Sequence, residues 1–315
     1  MTKHYDNILS FCFEHPWAIT RPMLTIVAGI LARRLVGEEP DPAEIAAALV
    51  SRKNAAPVAQ GRGVAVIPIY GVIAPRMNML SDMSGGTTFE ALSAQLQAAV
   101  KHPDVGTIVF DVDSPGGNVA GAAEFAADVL KARTQKPIIA QVHYLMASAA
   151  YWPMAGATQI VASPSAMVGS IGVYHIHDDI SEALAKHGVK RTVISAGKFK
   201  AEGADGGPLT DEAREHVKHL VGGAYDRFVK DVAAGRGVAV GAVRNGYGEG
   251  RVVTADDALA LGMIDRIGTL DDTLARAMST SATPQESHRA TTGQELPSDA
   301  IWQNSVAAAL LELDI

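Results

Sequence analysis

Pro137-Ile138-Ile139-Ala140-Gln141-Val142 is followed, after His143-Tyr144-Leu145, by Met146-Ala147-Ser148-Ala149-Ala150-Tyr151-Trp152. The first run is short, apolar and rich in β-branched residues, so it reads as a buried strand. From Ala149 to Ala155 the residues favour a helix. Ser148 therefore falls where a strand hands over to a helix, with only small neighbours. There its hydroxyl stands clear of bulky groups, and the helix N-terminus favours developing negative charge. Serine is a weak nucleophile at its own pKa and needs a base. His143 is too close in sequence to read as a separate base. A better source lies downstream in Ser195-Ala196-Gly197-Lys198-Phe199-Lys200. Taken alone, Ser148 reads more readily as a helix cap or a small packing residue than as a nucleophile.

Outward from this stretch the pattern alternates. Val64–Tyr70, Gly106–Val112, Gln159–Ala162, Lys190–Ile194 and Met263–Ile267 read as strands. Phe89–Val100 places Phe89, Leu92, Leu96 and Val100 on one side of a helix. Ala120–Arg133 and Asp178–His187 are helical. Thr210 caps a helix that runs towards Ala234 and closes at Gly235-Arg236-Gly237, and Thr254 starts another that ends at Leu261-Gly262. The alternation predicts an α/β layered fold, with helices covering a largely parallel sheet. Residues 1–56 read as a helical N-terminal extension, broken at His15-Pro16-Trp17 and Arg21-Pro22. The main domain is expected over 57–278. Residues 279–315 read as a Ser-, Thr-, Pro- and Gln-rich disordered linker and a short terminal helix.

Of the 315 residues 48% are hydrophobic, enough to bury a proper core. A net charge of −7 argues against a general nucleic-acid binder. Cys12 is the single cysteine, so no intramolecular disulfide forms. The apolar run Met23–Ala32 is shorter than the roughly 20 residues of a membrane span. Arg33-Arg34 follow that run, where a signal peptide has its basic residues in front. A soluble protein without a membrane span is expected. Asp111, Asp113 and the pair Asp178-Asp179 read as caps or loop residues. No metal-ligand spacing stands out and no cofactor is expected.

Four segments in order carry a resemblance: Asp113-Ser114-Pro115-Gly116-Gly117, Ala147–Trp152, Gly169-Ser170-Ile171-Gly172-Val173 and Gly197-Lys198-Phe199-Lys200. Over residues 60 to 275 the chain resembles the signal peptide peptidase A family of Ser–Lys peptidases, and in particular its phage head-maturation (capsid) protease branch. The resemblance implies a Clp/crotonase-like superfold of repeated ββα units, beyond what pattern alone reaches. It implies Ser148 as nucleophile, Lys200 as general base, Gly116 and Gly117 in the oxyanion hole, and Ser170 supporting the lysine. Without it, Lys198 and Lys200 are unranked, and a Lys-x-Lys pair is ordinarily two surface lysines. A lysine works as a base only when neutral, and burial beside apolar residues such as Phe199 favours that form. Ala149 and Ala150 stand where the family often has glycines. Gly203-Ala204-Asp205-Gly206-Gly207-Pro208 replaces the Ser-Pro pair common after the lysine.

The function implied is ATP-independent cleavage of proteins through an acyl-enzyme. The substrates implied are capsid, portal or scaffold proteins, and the setting is the bacterial host cytoplasm or the phage procapsid. Short single-domain relatives bring serine and lysine together from neighbouring subunits, so a homo-oligomeric ring is expected. Three other readings share parts of the pattern: a soluble signal-peptide or oligopeptide-degrading peptidase, a crotonase-type acyl-CoA enzyme, and a non-catalytic capsid scaffold.

Overall fold

The computed structural model describes residues 16–25, 29, 58–59, 63–73, 87–203 and 206–281. In chain order the strands are β1 (Trp17–Ile19), β2 (Val58–Ala59), β3 (Gly63–Tyr70), β4 (Val105–Ser114), β5 (Gly116–Asn118), β6 (Ile138–Ala147), β7 (Gln159–Ala162), β8 (Met167–Gly169), β9 (Val252–Thr254) and β10 (Arg266–Ile267). The helices are α1 (Phe89–Lys101), α2 (Ala122–Ala132), α3 (Tyr151–Met154), α4 (Ser181–Lys186), α5 (Asp211–Arg236), α6 (Val240–Gly246), α7 (Ala255–Ala260) and α8 (Leu270–Ser281). A 3-10 turn, Ser148–Ala150, joins β6 to α3.

The main sheet runs β10-β7-β6-β4-β3-β2, and β8 continues alongside the last residues of β6 with β9 outside it. All pairings from β3 to β10 along this path are parallel; β2 and β9 add antiparallel edges. The mixed α/β architecture with a mostly parallel sheet is the one the alternation predicts.

Successive side chains of a strand point to opposite faces, and the strands obey this in their burial. Ala65, Ile67 and Ile69 of β3, Ile108, Phe110 and Val112 of β4, and Ile138, Ala140 and Val142 of β6 face one core with Phe89, Leu92 and Leu96 of α1 and Phe125 and Val129 of α2. The intervening Val64 and Val109 face Leu274 and Ala277 of α8. Gln141, fully buried on that second face, is satisfied there: its amide donates to Gly268 O at 3.1 Å and its carbonyl accepts from Thr273 Oγ1 at 2.6 Å. Buried amides need such partners, and this pair pins α8 to the sheet.

The long helix α5 begins and ends by the capping rules. Thr210 Oγ1 accepts from Ala213 N–H at 3.1 Å, and Gly237 closes the helix in the left-handed conformation. Its C-terminal half is locked to the body. Phe228 stacks on Trp152 of α3 at 4.4 Å, Trp152 Nε1 donates to Asp231 at 3.0 Å, and Arg236 pairs with Asp265 at 2.6 Å. Among the described residues no helix is long and apolar enough to cross a membrane.

Several expectations change. Within the N-terminal extension, Trp17–Ile19 is a strand and residues 21–25 are helical. Lys190–Ile194 forms no strand; the run is exposed, Ile194 at 95%, and among the described residues no strand pairs with it. The helix expected over 178–187 shortens to α4. Helix α8 continues through Ser281, past the expected start of the linker, and residues 282–315 lie outside the described residues.

Burial pushes the Asp265 carboxyl up, but the Arg236 hydrogen bond, the Ile160 N–H at 2.7 Å and the guanidinium charge outweigh it, and its pKa is held below the usual carboxylate value. A depressed folded pKa stabilises above the unfolded value near 3.9, and the contribution is lost as pH falls through the folded value. Asp265→Asn is expected to cost about 2–3 kcal/mol at neutral pH in urea denaturation. It should also flatten the loss of stability below about pH 4.

Candidate active site

Ser148 closes β6 and opens the turn into α3. Its φ is 56°, in the left-handed region that costs an ordinary residue roughly 1–2 kcal/mol. Ser148, Ser170 and Glu249 are the non-glycine residues at positive φ among those described. Such outliers gather where a side chain must be aimed, and two of the three adjoin one another here. The register Ala147↔Gly169 sets β6 beside β8, so Ser148 and Ser170 each come one residue beyond a paired position at the same end of adjacent strands. Ser170 N–H donates to Arg251 O at 2.7 Å. Ser148 Oγ reaches Gly172 O at 3.4 Å, and Ser148 itself is 0% exposed.

The glycine loop packs against this turn. A side-chain carbon on Gly116, whose φ is 97°, would lie 2.8 Å from Ala147 O and 2.9 Å from Ala149 N. On Gly117 it would lie 1.7 Å from Ile73 O. Gly116 N–H donates to Ser114 Oγ at 3.2 Å, so that donor is committed. Ile73 N–H donates to Gly116 O and Ile73 O accepts from Asn118 N–H, at 3.0 and 2.9 Å. Backbone groups alternate between the two edges of a strand, which turns the N–H of Gly117 the other way, towards β1. Gly116 thus contributes close approach, and Gly117 the outward donor. Sequence reading did not single out Ala149, whose N–H also lies beside the loop. It sits in the first turn of its helical segment, where N–H groups lack intrahelical partners.

Lys200 is not brought to this cluster. Residues 190–200 are exposed, Phe199 at 51%, and no hydrogen bond joins Lys200 to Ser148 within the chain. Lys198 pairs with Glu212 at 3.0 Å and lies over the Phe199 ring. The shielding expected from Phe199 is therefore absent in the single chain. A cavity of about 590 Å³, lined by Ile19, Ser170, Gly172, Tyr174 and Gly250, adjoins the serine turn. Burial pushes the Tyr174 hydroxyl up to about 12, against the lowering effect of Arg21. Among the described residues no cluster of three or more His, Cys, Asp or Glu is placed to hold a metal.

A family model, "Peptidase family S49", matches residues 131–283, which hold Ser148, Ser170 and Lys200. The chain is 32% identical over 212 residues to "Capsid assembly protease C" of Escherichia phage lambda, covering 67% of this chain and 48% of that protein. The chain belongs to peptidase family S49. Another relative, "Head-tail preconnector protein GP5" of Enterobacteria phage P21, is 30% identical over 213 residues, 68% of this chain and 42% of its own. "Protease 4" of Salmonella typhi is 31% identical over 222 residues, 70% of this chain and 35% of its own. The S49 chain thus spans about half the length, or less, of these relatives.

The packing at the glycine loop sets a stability contrast. Gly117→Ala forces a carbon onto Ile73 O and is expected to cost about 3 kcal/mol. Gly172→Ala meets only Gly250 Cα at 3.6 Å and is expected to be near neutral, within about 0.5 kcal/mol. Urea denaturation of the two variants checks it; equal losses would contradict the packing described.

Proposed function

We propose that this S49 chain is a serine endopeptidase of the Ser–Lys type, on a Clp/crotonase-like superfold, that cleaves proteins through an acyl-enzyme. The observation that carries the reading is Ser148 at positive φ, at a strand-to-helix turn, with the Gly116–Gly117 loop packed against its backbone. A nucleophile on such a turn is presented by its backbone, and the adjacent N–H groups are fixed before the reaction begins. In this reading Ser148 Oγ attacks the scissile carbonyl and passes its proton to the neutral amine of Lys200. Gly117 N–H and Ala149 N–H hold the oxyanion. The lysine then gives the proton to the leaving amine, and water hydrolyses the ester.

The position of Lys200 is part of the reading. Within one chain it is exposed, and around it Ile176, Ile180, Val189, Val193, Ile194 and Phe199 are exposed as well. Exposed apolar residues gathered in one segment favour an interface. The dyad is then completed between subunits of a homo-oligomer, and the cavity beside Ser170 gives an arriving lysine space. Ser170 would accept that amine's hydrogen bond. The likeness to proteins named as a capsid assembly protease and a head-tail preconnector supports capsid, portal or scaffold proteins as substrates, acted on within the host cytoplasm or the procapsid.

Ser148→Ala and Lys200→Ala are each expected to lower kcat/KM on a peptide substrate by at least about 10³-fold with the fold intact. Lys198→Ala is expected to stay within about twofold, since its partner is the exposed Glu212. Co-expressing Ser148→Ala with Lys200→Ala should restore part of the activity, because some boundaries then join an intact serine to an intact lysine. Mixed oligomers as inactive as either parent would place the dyad within one chain.

A further inference from the structure

Strand β1 fills a slot that a substrate would need. On one edge Trp17 exchanges both backbone hydrogen bonds with Tyr174, N–H to O at 2.9 Å and O from N–H at 3.0 Å. On the other edge β1 runs antiparallel to β5, with Ala18 opposite Gly117 and Ile19 opposite Gly116. Because Trp17 spends its N–H and C=O on Tyr174, those of Ala18 turn to the opposite edge, towards Gly117. Thr20 N–H then donates to Pro115 O at 2.9 Å. Without β1, the glycine loop and the residues after Ser170 would face each other with unpaired N–H and C=O groups. Two such edges accept an extended peptide by strand addition.

The register brings one peptide bond near the serine turn. Ala18 O lies 2.4 Å from the point a side-chain carbon on Gly116 would occupy, and Ala149 N lies 2.9 Å from that same point. The carbonyl of Ala18, opposite Gly117 in the register, thus lies close to the first N–H of the serine turn. Trp17 and Ile19 point away from it, into a small apolar cluster with Leu24, Val72 and Tyr174. Ala18 is fully buried in the main core with Ala149 and Ala150, where its methyl group fits and a larger side chain has no room. This strand packs on the serine turn and adds to the burial of Ser148.

We propose that Trp17–Ile19 is the enzyme's own first substrate, a strand seated in the peptide slot with the Ala18–Ile19 bond presented to Ser148. The inference rests on the peptidase reading above. Ser148 Oγ adds to the carbonyl carbon of Ala18, and its proton passes to the neutral amine of Lys200. The C–N bond to Ile19 breaks, and that proton moves to the Ile19 nitrogen, now a free amine. Water then hydrolyses the Ser148 ester and leaves a carboxylate on Ala18. The product is a chain beginning at Ile19 with the acyl side of its slot open. Since Lys200 is exposed within one chain, the slot stays filled until the base arrives.

The test uses the full chain. Wild type, Ser148→Ala and Ala18→Trp are purified and incubated, and intact mass with N-terminal sequencing follows the Ala18–Ile19 bond. In parallel, a fluorogenic peptide containing Trp-Ala-Ile reports turnover of a bond outside the chain. The wild type is expected to acquire an N-terminus at Ile19, and Ser148→Ala to keep the bond whole. Ala18→Trp should slow the conversion at least tenfold. The comparison of wild type with Ser148→Ala stands even if the tryptophan variant misfolds. Turnover of the peptide by wild type whose own Ala18–Ile19 bond stays whole overturns this inference and leaves the peptidase reading standing. Equal appearance of Ile19 in wild type and Ser148→Ala, through a foreign protease, also overturns it. A wild type that cuts neither bond overturns both.

Discussion

The carbonyl oxygen of Ile73 lies 1.7 Å from where a side-chain carbon on Gly117 would have to be, and that of Ala147 lies 2.8 Å from the corresponding point on Gly116. This contact of bare backbone on backbone is the constraint that organises the site. It lets a three-residue strand, β5, be wedged between Ile73 and β1 while its first residue touches the serine turn. The loop is thereby held by backbone hydrogen bonds on the neighbouring edges and by Ser114 Oγ, which accepts from Gly116 N–H. The left-handed backbone at Ser148 is held by the same packing, since Ala147, Ala149 and Ala150 are all fully buried around it.

Much of the frame was legible in the sequence, because burial follows period. The runs Val64–Tyr70, Gly106–Val112 and Gln159–Ala162 are buried strands, and Phe89, Leu92 and Leu96 all lie in the core. Thr210 and Thr254 cap their helices through the hydroxyl, as their position before acidic first turns implies. Ser148 and the Gly116–Gly117 loop, far apart in sequence, do meet. The rest depended on partners that no local pattern records. Trp17–Ile19 is a strand only because Tyr174 and Gly117 offer it edges. Lys190–Ile194 has the residues of a strand, but among the described residues no strand pairs with it. The commitment of Gly116 N–H to Ser114 Oγ is decided by a side chain two residues away.

The sheet and the helices divide their work. At the end of β6 the small residues Ala147, Ala149 and Ala150 let the serine turn sink to full burial; within the strand, Gln141 and its partner Thr273 tie α8 down. Between the α3 turn and the sheet edge run the Trp152–Phe228 stack and the Arg236–Asp265 pair, so the turn and the β7–β10 edge are fastened to the same stretch of α5.

Helix α5 is anchored by only part of its length. From Phe228 to Gly235 it is repeatedly buried, whereas between Glu212 and Arg227 Ala213 alone is. At about 1.5 Å per residue, the lightly held portion extends some 25 Å. Glu212, near its free end, holds Lys198, two residues from Lys200. The lysine segment therefore stands beside the lightly packed start of a helix whose other half is stacked on Trp152. Under the proposed arrangement between subunits, a lysine on a chain already joined to its partner arrives as a tethered group, at a local concentration independent of how dilute the protein is.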